Sequence, residues 1–177
     1  MSLRGMRAAA RFLPKARKEG FFTMSVETVK AYLDGFGLGE RVREFAVSSA
    51  TVELAAQAVG VESARIAKTL SFRAGEGCLL IVMAGDRRVD NRKFKDRFGM
   101  KAVMLAPQDA LRLTGHAVGG VCPFALPETV PVYLDESMKR FETVFPAAGS
   151  ANSAVEMTCE ELFRASRAKA WVDVGKE

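Results

Sequence analysis

Thr69-Leu-Ser-Phe-Arg-Ala-Gly-Glu-Gly-Cys-Leu-Leu-Ile-Val-Met83 decides the fold. Two short apolar runs, Thr69–Phe72 and Cys78–Met83, flank Arg73-Ala-Gly-Glu-Gly77, a turn-rich linker of hairpin length, so the pair reads as central strands. Downstream, Asn91–Phe98 reads as a helix ended by Gly99, Ala102–Leu105 as another strand, and Pro107 admits a helix over Gln108–Leu113. Beyond a glycine-rich segment, Val130–Leu134, Thr143–Phe145 and Ala154–Met157 read as strands. Thr158 with Glu161 then forms a capping box for a helix around Leu162–Ser166, and Trp171–Val174 closes the chain as a strand.

Upstream, Ser25 can cap a helix with apolar Val26, Val29, Tyr32, Leu33 and Phe36, stopped by Gly37 and Gly39. Val42–Val47 is extended. Thr51 caps an alanine-rich helix that Gly60 closes. This order lacks the steady βα rhythm of a doubly wound sheet. It predicts a mixed α/β fold, a curled mixed sheet of about six to eight short strands with helices around it.

The chain has 177 residues, 49% of them hydrophobic and 27% charged, the balance of one compact domain. Its net charge of +5 is concentrated at the start, where Arg4, Arg7, Arg11, Lys15, Arg17 and Lys18 face only Glu19. Two units follow: a basic leader over residues 1–23, expected to be disordered although its composition also suits a transit peptide or a nucleic-acid contact, and a folded domain over 24–177. That domain is formally neutral, which argues against coating nucleic acid by bulk charge. Three dispersed cysteines give no disulfide framework, and His116 as the one histidine leaves no zinc site of two or three imidazoles. No metal and no cofactor are expected. The absence of a long apolar run favours a cytoplasmic chain without a membrane partner.

Gly115-His-Ala-Val-Gly-Gly-Val-Cys-Pro-Phe124 is too rich in glycine to be ordinary core. Its backbone N–H groups can approach a phosphate, a carbonyl oxygen or a developing oxyanion, although a tight structural loop explains the composition equally well. Lys68, where a short helical turn over Ala64–Ala67 passes into a strand, can pin a phosphate or carboxylate as a point charge, or be a solvated edge residue. Gly149-Ser-Ala-Asn-Ser153 is a second small-residue loop with hydroxyl and amide donors. Arg87, Arg88, Arg92, Lys93, Lys95, Arg97 and Lys101 stand against Asp90 and Asp96, a local basic patch able to track a nucleic-acid backbone or simply to be a solvated face. His116 and Cys122 raise a thiol nucleophile with an imidazole base, against the plainer reading of a small packed cysteine.

Five pieces in order resemble the YbaK / prolyl-tRNA synthetase-associated editing domain family. They are Thr51-Val-Glu-Leu-Ala-Ala-Gln-Ala-Val-Gly60, Ile66-Ala-Lys-Thr-Leu70, Gly85-Asp-Arg-Arg-Val-Asp90, the Gly115-xxx-Gly-Gly-xx-Pro-Phe124 loop and Gly149-Ser. The likeness covers roughly Ser25 to Val174. It implies an aminoacyl-tRNA deacylase acting in trans on mischarged tRNA, typically proline tRNA bearing a small wrong amino acid, with prolyl-tRNA synthetase as a possible partner. Carried onto this sequence, Lys68 anchors the terminal adenosine's phosphate, and Gly115, Gly119, Gly120 and Pro123 hold the ester carbonyl and ribose hydroxyl. Gly149 and Ser150 line the amino-acid side, with Thr69 and His116 as further substrate contacts, and Arg87–Lys101 meets the acceptor stem. An aminoacyl ester is already activated, so a positioned water, oxyanion stabilisation and the ribose 2′-hydroxyl suffice without a triad. The rival readings are a non-catalytic module for tRNA ends or a synthetase, and a cysteine hydrolase using Cys122 and His116.

Overall fold

The computed structural model describes residues 23–117 and 119–177. The expected basic leader, apart from Thr23, lies outside the described residues. Along the chain come α1 (Val26–Asp34), β1 (Val42–Glu44), α2 (Val52–Val59), β2 (Ile66–Ala74), β3 (Gly77–Ala84), β4 (Arg88–Val89), α3 (Asn91–Phe98) and α4 (Pro107–Thr114). There follow β5 (Val132–Asp135), β6 (Thr143–Pro146), β7 (Ser153–Val155), β8 (Met157–Thr158), α5 (Cys159–Ala165), β9 (Ala170–Val172) and β10 (Gly175–Lys176).

The β2–β3 hairpin is the centre of a six-stranded mixed sheet in the order β8-β6-β2-β3-β5-β9. β2 pairs antiparallel with β3 from Ala67↔Ala84 to Ala74↔Gly77, while β6 joins β2, and β5 joins β3, in parallel. Every residue of β3 from Cys78 to Ala84 is buried, which explains its unbroken apolar run: both faces of the sheet are covered. On one face Leu80, Val82 and Ala84 pack with Val29 and Leu33 of α1 and Leu162 of α5. On the other, Phe72, Ile81 and Met83 pack with Phe94 of α3 and with Val172 and Val174. A third cluster seats α2, through Ala56, on Ile66 and Phe145.

The helix caps follow the sequence reading. Ser25, Thr51 and Thr158 accept from backbone N–H groups of their first turns, and Gly60 and Gly99 close α2 and α3 in the left-handed conformation. Several strands differ. The helical turn expected over Ala64–Ala67 is a 3-10 turn over Ser63–Arg65, so β2 begins earlier and Lys68 lies within it. Ala102–Leu105 is not a strand: it touches β2 through one bridge, Phe72↔Met104, with Val103 and Met104 exposed, because among the described residues no further strand covers that edge. Ala154–Met157 divides at Glu156 into β7, which pairs with β1, and β8, which pairs with β6. Trp171–Val174 ends as a strand at Val172, and the chain then forms β10 against β4.

Candidate functional site

β6 and β2 pair only at Ile66↔Phe145 and Ala67↔Pro146. Past that point they part: β2 continues into Lys68 and Thr69 against Met83 and Val82 of β3, while the chain after β6 turns away through residues 147–152. A crevice beyond the ends of diverging parallel strands is a usual place for a ligand in an open α/β sheet.

Lys68 and Thr69, as strand neighbours, face opposite sides of the sheet. Lys68 shares its side with Ile66, covered by α2, and Leu70, covered on the α3 side, and so occupies the gap between the two helices. The side chain is half-buried. Its Nζ donates to the Gly85 carbonyl at 3.2 Å and to the Arg87 carbonyl. Burial pulls its pKa below the usual lysine range, opposed by the nearby Asp86 and Glu53 carboxylates. Asp86 is itself gripped by Arg140 through two hydrogen bonds, of 2.9 and 2.6 Å, which hold its carboxyl below the ordinary range. On the other side of the sheet, the buried Thr69 Oγ1 has no hydrogen-bond partner among the described residues.

The glycine loop meets the 147–152 loop by close approach. A Cβ on Gly119, whose φ is +89°, would lie 3.2 Å from Ala50 Cβ. One on Gly120 would lie 2.9 Å from the Ser150 carbonyl carbon, so side chains here would lift the loop off residues 150–151. Ser150 is fixed in turn: its N–H donates to Ser153 Oγ at 3.1 Å and its hydroxyl to Asn152 Oδ1 at 2.7 Å. Gly149 lies against the Ser25 carbonyl. Residues 48–50, which the sequence reading did not single out, lace across this region: Ser49 N–H and the Ser48 and Ser49 hydroxyls all reach the Ala151 carbonyl. Ser48-Ser49-Ala50 before a helix cap is the same small-residue signal that marked Gly149–Ser153.

A chain of contacts thus unites Gly119, Gly120, Gly149 and Ser150. Ala50 leads into α2, and Val52 at its start packs on Gly85, a carbonyl partner of Lys68. Gly115, His116 and Pro123 stand apart. Gly115 closes α4, and its carbonyl accepts from Met24 N–H at 2.7 Å. Pro123 lines a separate cavity of about 330 Å³ with Tyr32, Leu126, Val130, Arg167 and Lys169, to which Lys68, Gly119, Gly120 and Ser150 contribute nothing.

His116 is 1% exposed, with Nε2 3.1 Å from the Phe124 carbonyl, so its ring supports the loop from inside. Cys122 Sγ lies 3.6 Å from the same nitrogen and is fully enclosed. Burial lowers the imidazole pKa to about 4 and pushes the thiol up to about 12. Such a pair holds neither a thiolate nor an imidazolium near neutral pH, and the cysteine hydrolase reading loses its nucleophile.

The basic patch is partly committed within the fold. Arg87 pairs with Glu177 at 3.1 Å, Arg88 Nε donates to the Glu177 carbonyl at 2.9 Å, and Lys93 pairs with Asp173 at 2.8 Å. Arg97 lies over the Phe98 and Tyr133 rings. Arg92, 92% exposed in its side chain, and Lys95 project from α3, whose single buried residue is Phe94.

A family model described as "Aminoacyl-tRNA editing domain" matches residues 47–165. The chain is 52% identical over 155 residues to the uncharacterized protein YwhH of Bacillus subtilis, covering 87% of this chain and 99% of that one. It is 30% identical over 114 residues to EbsC of Enterococcus faecalis, named as a candidate Cys-tRNA(Pro)/Cys-tRNA(Cys) deacylase, with 63% of this chain and 70% of that one covered. A crystal structure of a candidate trans-editing enzyme for prolyl tRNA synthetase shares the fold with a TM-score of 0.78 at 31% identity, over 86% of this chain and 97% of that chain.

Proposed function

The chain belongs to the aminoacyl-tRNA editing domain family, and from that premise we propose that it is a deacylase acting in trans on mischarged tRNA, foremost proline tRNA carrying a small non-cognate amino acid. The observation that carries the reading is the parting of β2 and β6 past Ala67↔Pro146, with Lys68 and Thr69 continuing along β2 and the loops of Gly119, Gly120, Gly149 and Ser150 joined by close approach beyond β6. The names borne by EbsC and by the solved trans-editing chain support the choice of proline tRNA.

In this mechanism the Lys68 ammonium takes the phosphate of the terminal adenosine and sets the register of the ester. Two neutral carbonyls orient the ammonium without cancelling its charge. Backbone groups of Gly119 and Gly120 hold the ester carbonyl and stabilise the oxyanion as water adds, with the ribose 2′-hydroxyl assisting the proton transfer. Thr69, next to Lys68 on β2, is a further substrate contact in this reading. Gly149 and Ser150 line the amino-acid side, and the enclosed His116 serves as loop support. Arg92 and Lys95 contact the acceptor stem, with Arg87, Arg88, Lys93 and Arg97 at its border. Residues 24–177 form the editing unit, which works without a cofactor in the cytoplasm beside prolyl-tRNA synthetase, and residues 1–23 are dispensable.

The test is single-turnover deacylation of proline tRNAs charged with alanine, cysteine or serine, by the wild type, Lys68→Ala and Cys122→Ala. Hydrolysis faster than in buffer, slowed about a thousandfold in Lys68→Ala and kept in Cys122→Ala, is the expected pattern. No acceleration on any of these tRNAs would leave a binding module as the better reading.

A further inference from the structure

The Asp135 carboxylate is 1% exposed at the end of β5, far from any role that composition suggested. A buried carboxylate stays in a fold when donors surround it, and here three backbone N–H groups do so. Oδ1 accepts from Ser137 at 3.0 Å, and Oδ2 accepts from Val174 at 2.9 Å and Gly175 at 3.1 Å.

Each arm of this hub ends on the turn that holds Lys68. Through Ser137, whose Oγ accepts from Ala84 N–H at 3.2 Å, it reaches the residue before Gly85. Through Val174, whose carbonyl accepts from Asp90 N–H at 2.8 Å, it reaches the other end of the same turn. β10 then pairs with β4 at Gly175↔Val89 and Lys176↔Arg88. Between the two anchored ends stand the Gly85 and Arg87 carbonyls that receive the Lys68 ammonium. Among the described residues these two carbonyls are the hydrogen-bond partners of that ammonium, so moving them moves the charge.

We infer that Asp135 is a positioning residue for Lys68, acting through Ser137 and the 174–175 segment on both ends of the 84–90 turn. The inference rests on the proposal that Lys68 registers the substrate. Asp135→Asn puts an NH₂ group where the carboxylate accepts from N–H donors, and so loosens one arm of the hub. Gly175→Ala does so independently, since its Cβ would lie 3.0 Å from Asp135 Oδ1.

The experiment is a double-mutant cycle on the full chain, with single-turnover deacylation of mischarged proline tRNA as its readout. Asp135→Asn and Gly175→Ala are each measured in the wild-type and Lys68→Gln backgrounds, with melting temperatures recorded for all. Asp135→Asn should slow deacylation about tenfold when Lys68 is present and less than about twofold when it is absent, because a residue acting through Lys68 has nothing left to position. Gly175→Ala should follow the same pattern with a smaller factor, and it decides the matter if Asp135→Asn fails to fold. Equal factors in both backgrounds, or no loss in either, would overturn the inference and leave Asp135 as a stabilising cap. If Lys68→Gln itself is silent, the role given to Lys68 fails first and the inference falls with it.

Discussion

Lys68 and the His116–Cys122 pair are two places where the described residues hold reactive side chains, and the fold treats them in opposite ways. Lys68 stands half-buried in a gap between α2 and α3, its ammonium directed by two carbonyls. His116 and Cys122 lie 3.6 Å apart behind the glycine loop, sealed from water and with both pKa values driven away from neutrality. The more reactive residue types have become packing, and the less reactive one stays half-exposed. Reactivity follows access and the cost of holding charge, not the inventory of side chains.

The comparison breaks most sharply at Lys68. Lys68→Ala should slow deacylation about a thousandfold while the melting temperature barely moves, since the side chain supplies charge and little core. A matching loss of stability and activity would instead make Lys68 part of the scaffold.

Next in size is the pH dependence of stability. The folded pKa of His116, about 4, lies below the ordinary 6.5, so the unfolded chain takes up its proton first as pH falls. Stability contributed by the neutral imidazole is complete above about pH 6.5 and is lost progressively down to about pH 4, by about 3 kcal/mol. Denaturant titrations across this window should show the slope, and His116→Asn, which keeps a donor but does not titrate, should flatten it.

Cys122→Ala sharpens the contrast from the other side. Truncation of a fully enclosed thiol should cost about 1–2 kcal/mol of stability yet leave deacylation within about twofold of wild type, as measured by melts and single-turnover rates together. A large rate loss without a stability loss would return the thiol to the mechanism. Smallest is the effect at the basic patch: Arg92→Glu with Lys95→Glu should weaken tRNA binding several-fold and reduce the slope of log affinity against log salt by about one to two. Lys93→Glu, by contrast, breaks the pair with Asp173 and should also lower the melting temperature.

Much of the scaffold was legible because it is written in local chemistry. The caps at Ser25, Thr51 and Thr158, the left-handed glycines at Gly60 and Gly99 and the apolar run of β3 each follow from residue type and period. Ala102–Leu105 misled because an apolar run reads as a strand however far its pairing extends, and here pairing with β2 stops at the single bridge Phe72↔Met104. β4 and β10 were invisible for the converse reason: Arg88-Val89 and Gly175-Lys176 have no strand-like pattern and become strands only because Asp135 and the Asp90 N–H hold the two distant segments together.

The site divides along the same line. Sequence alone determined that Lys68, the glycine loop and the Gly149 loop were unusual, because a lysine at a strand mouth and clustered glycines are local departures from core composition. Only the tertiary structure decided which loops touch, that His116 is inside and Pro123 beside a cavity, and what aims the lysine. Its partners are the carbonyls of Gly85 and Arg87, and a carbonyl is common to every residue, so its direction is set by the fold and leaves no mark in the sequence.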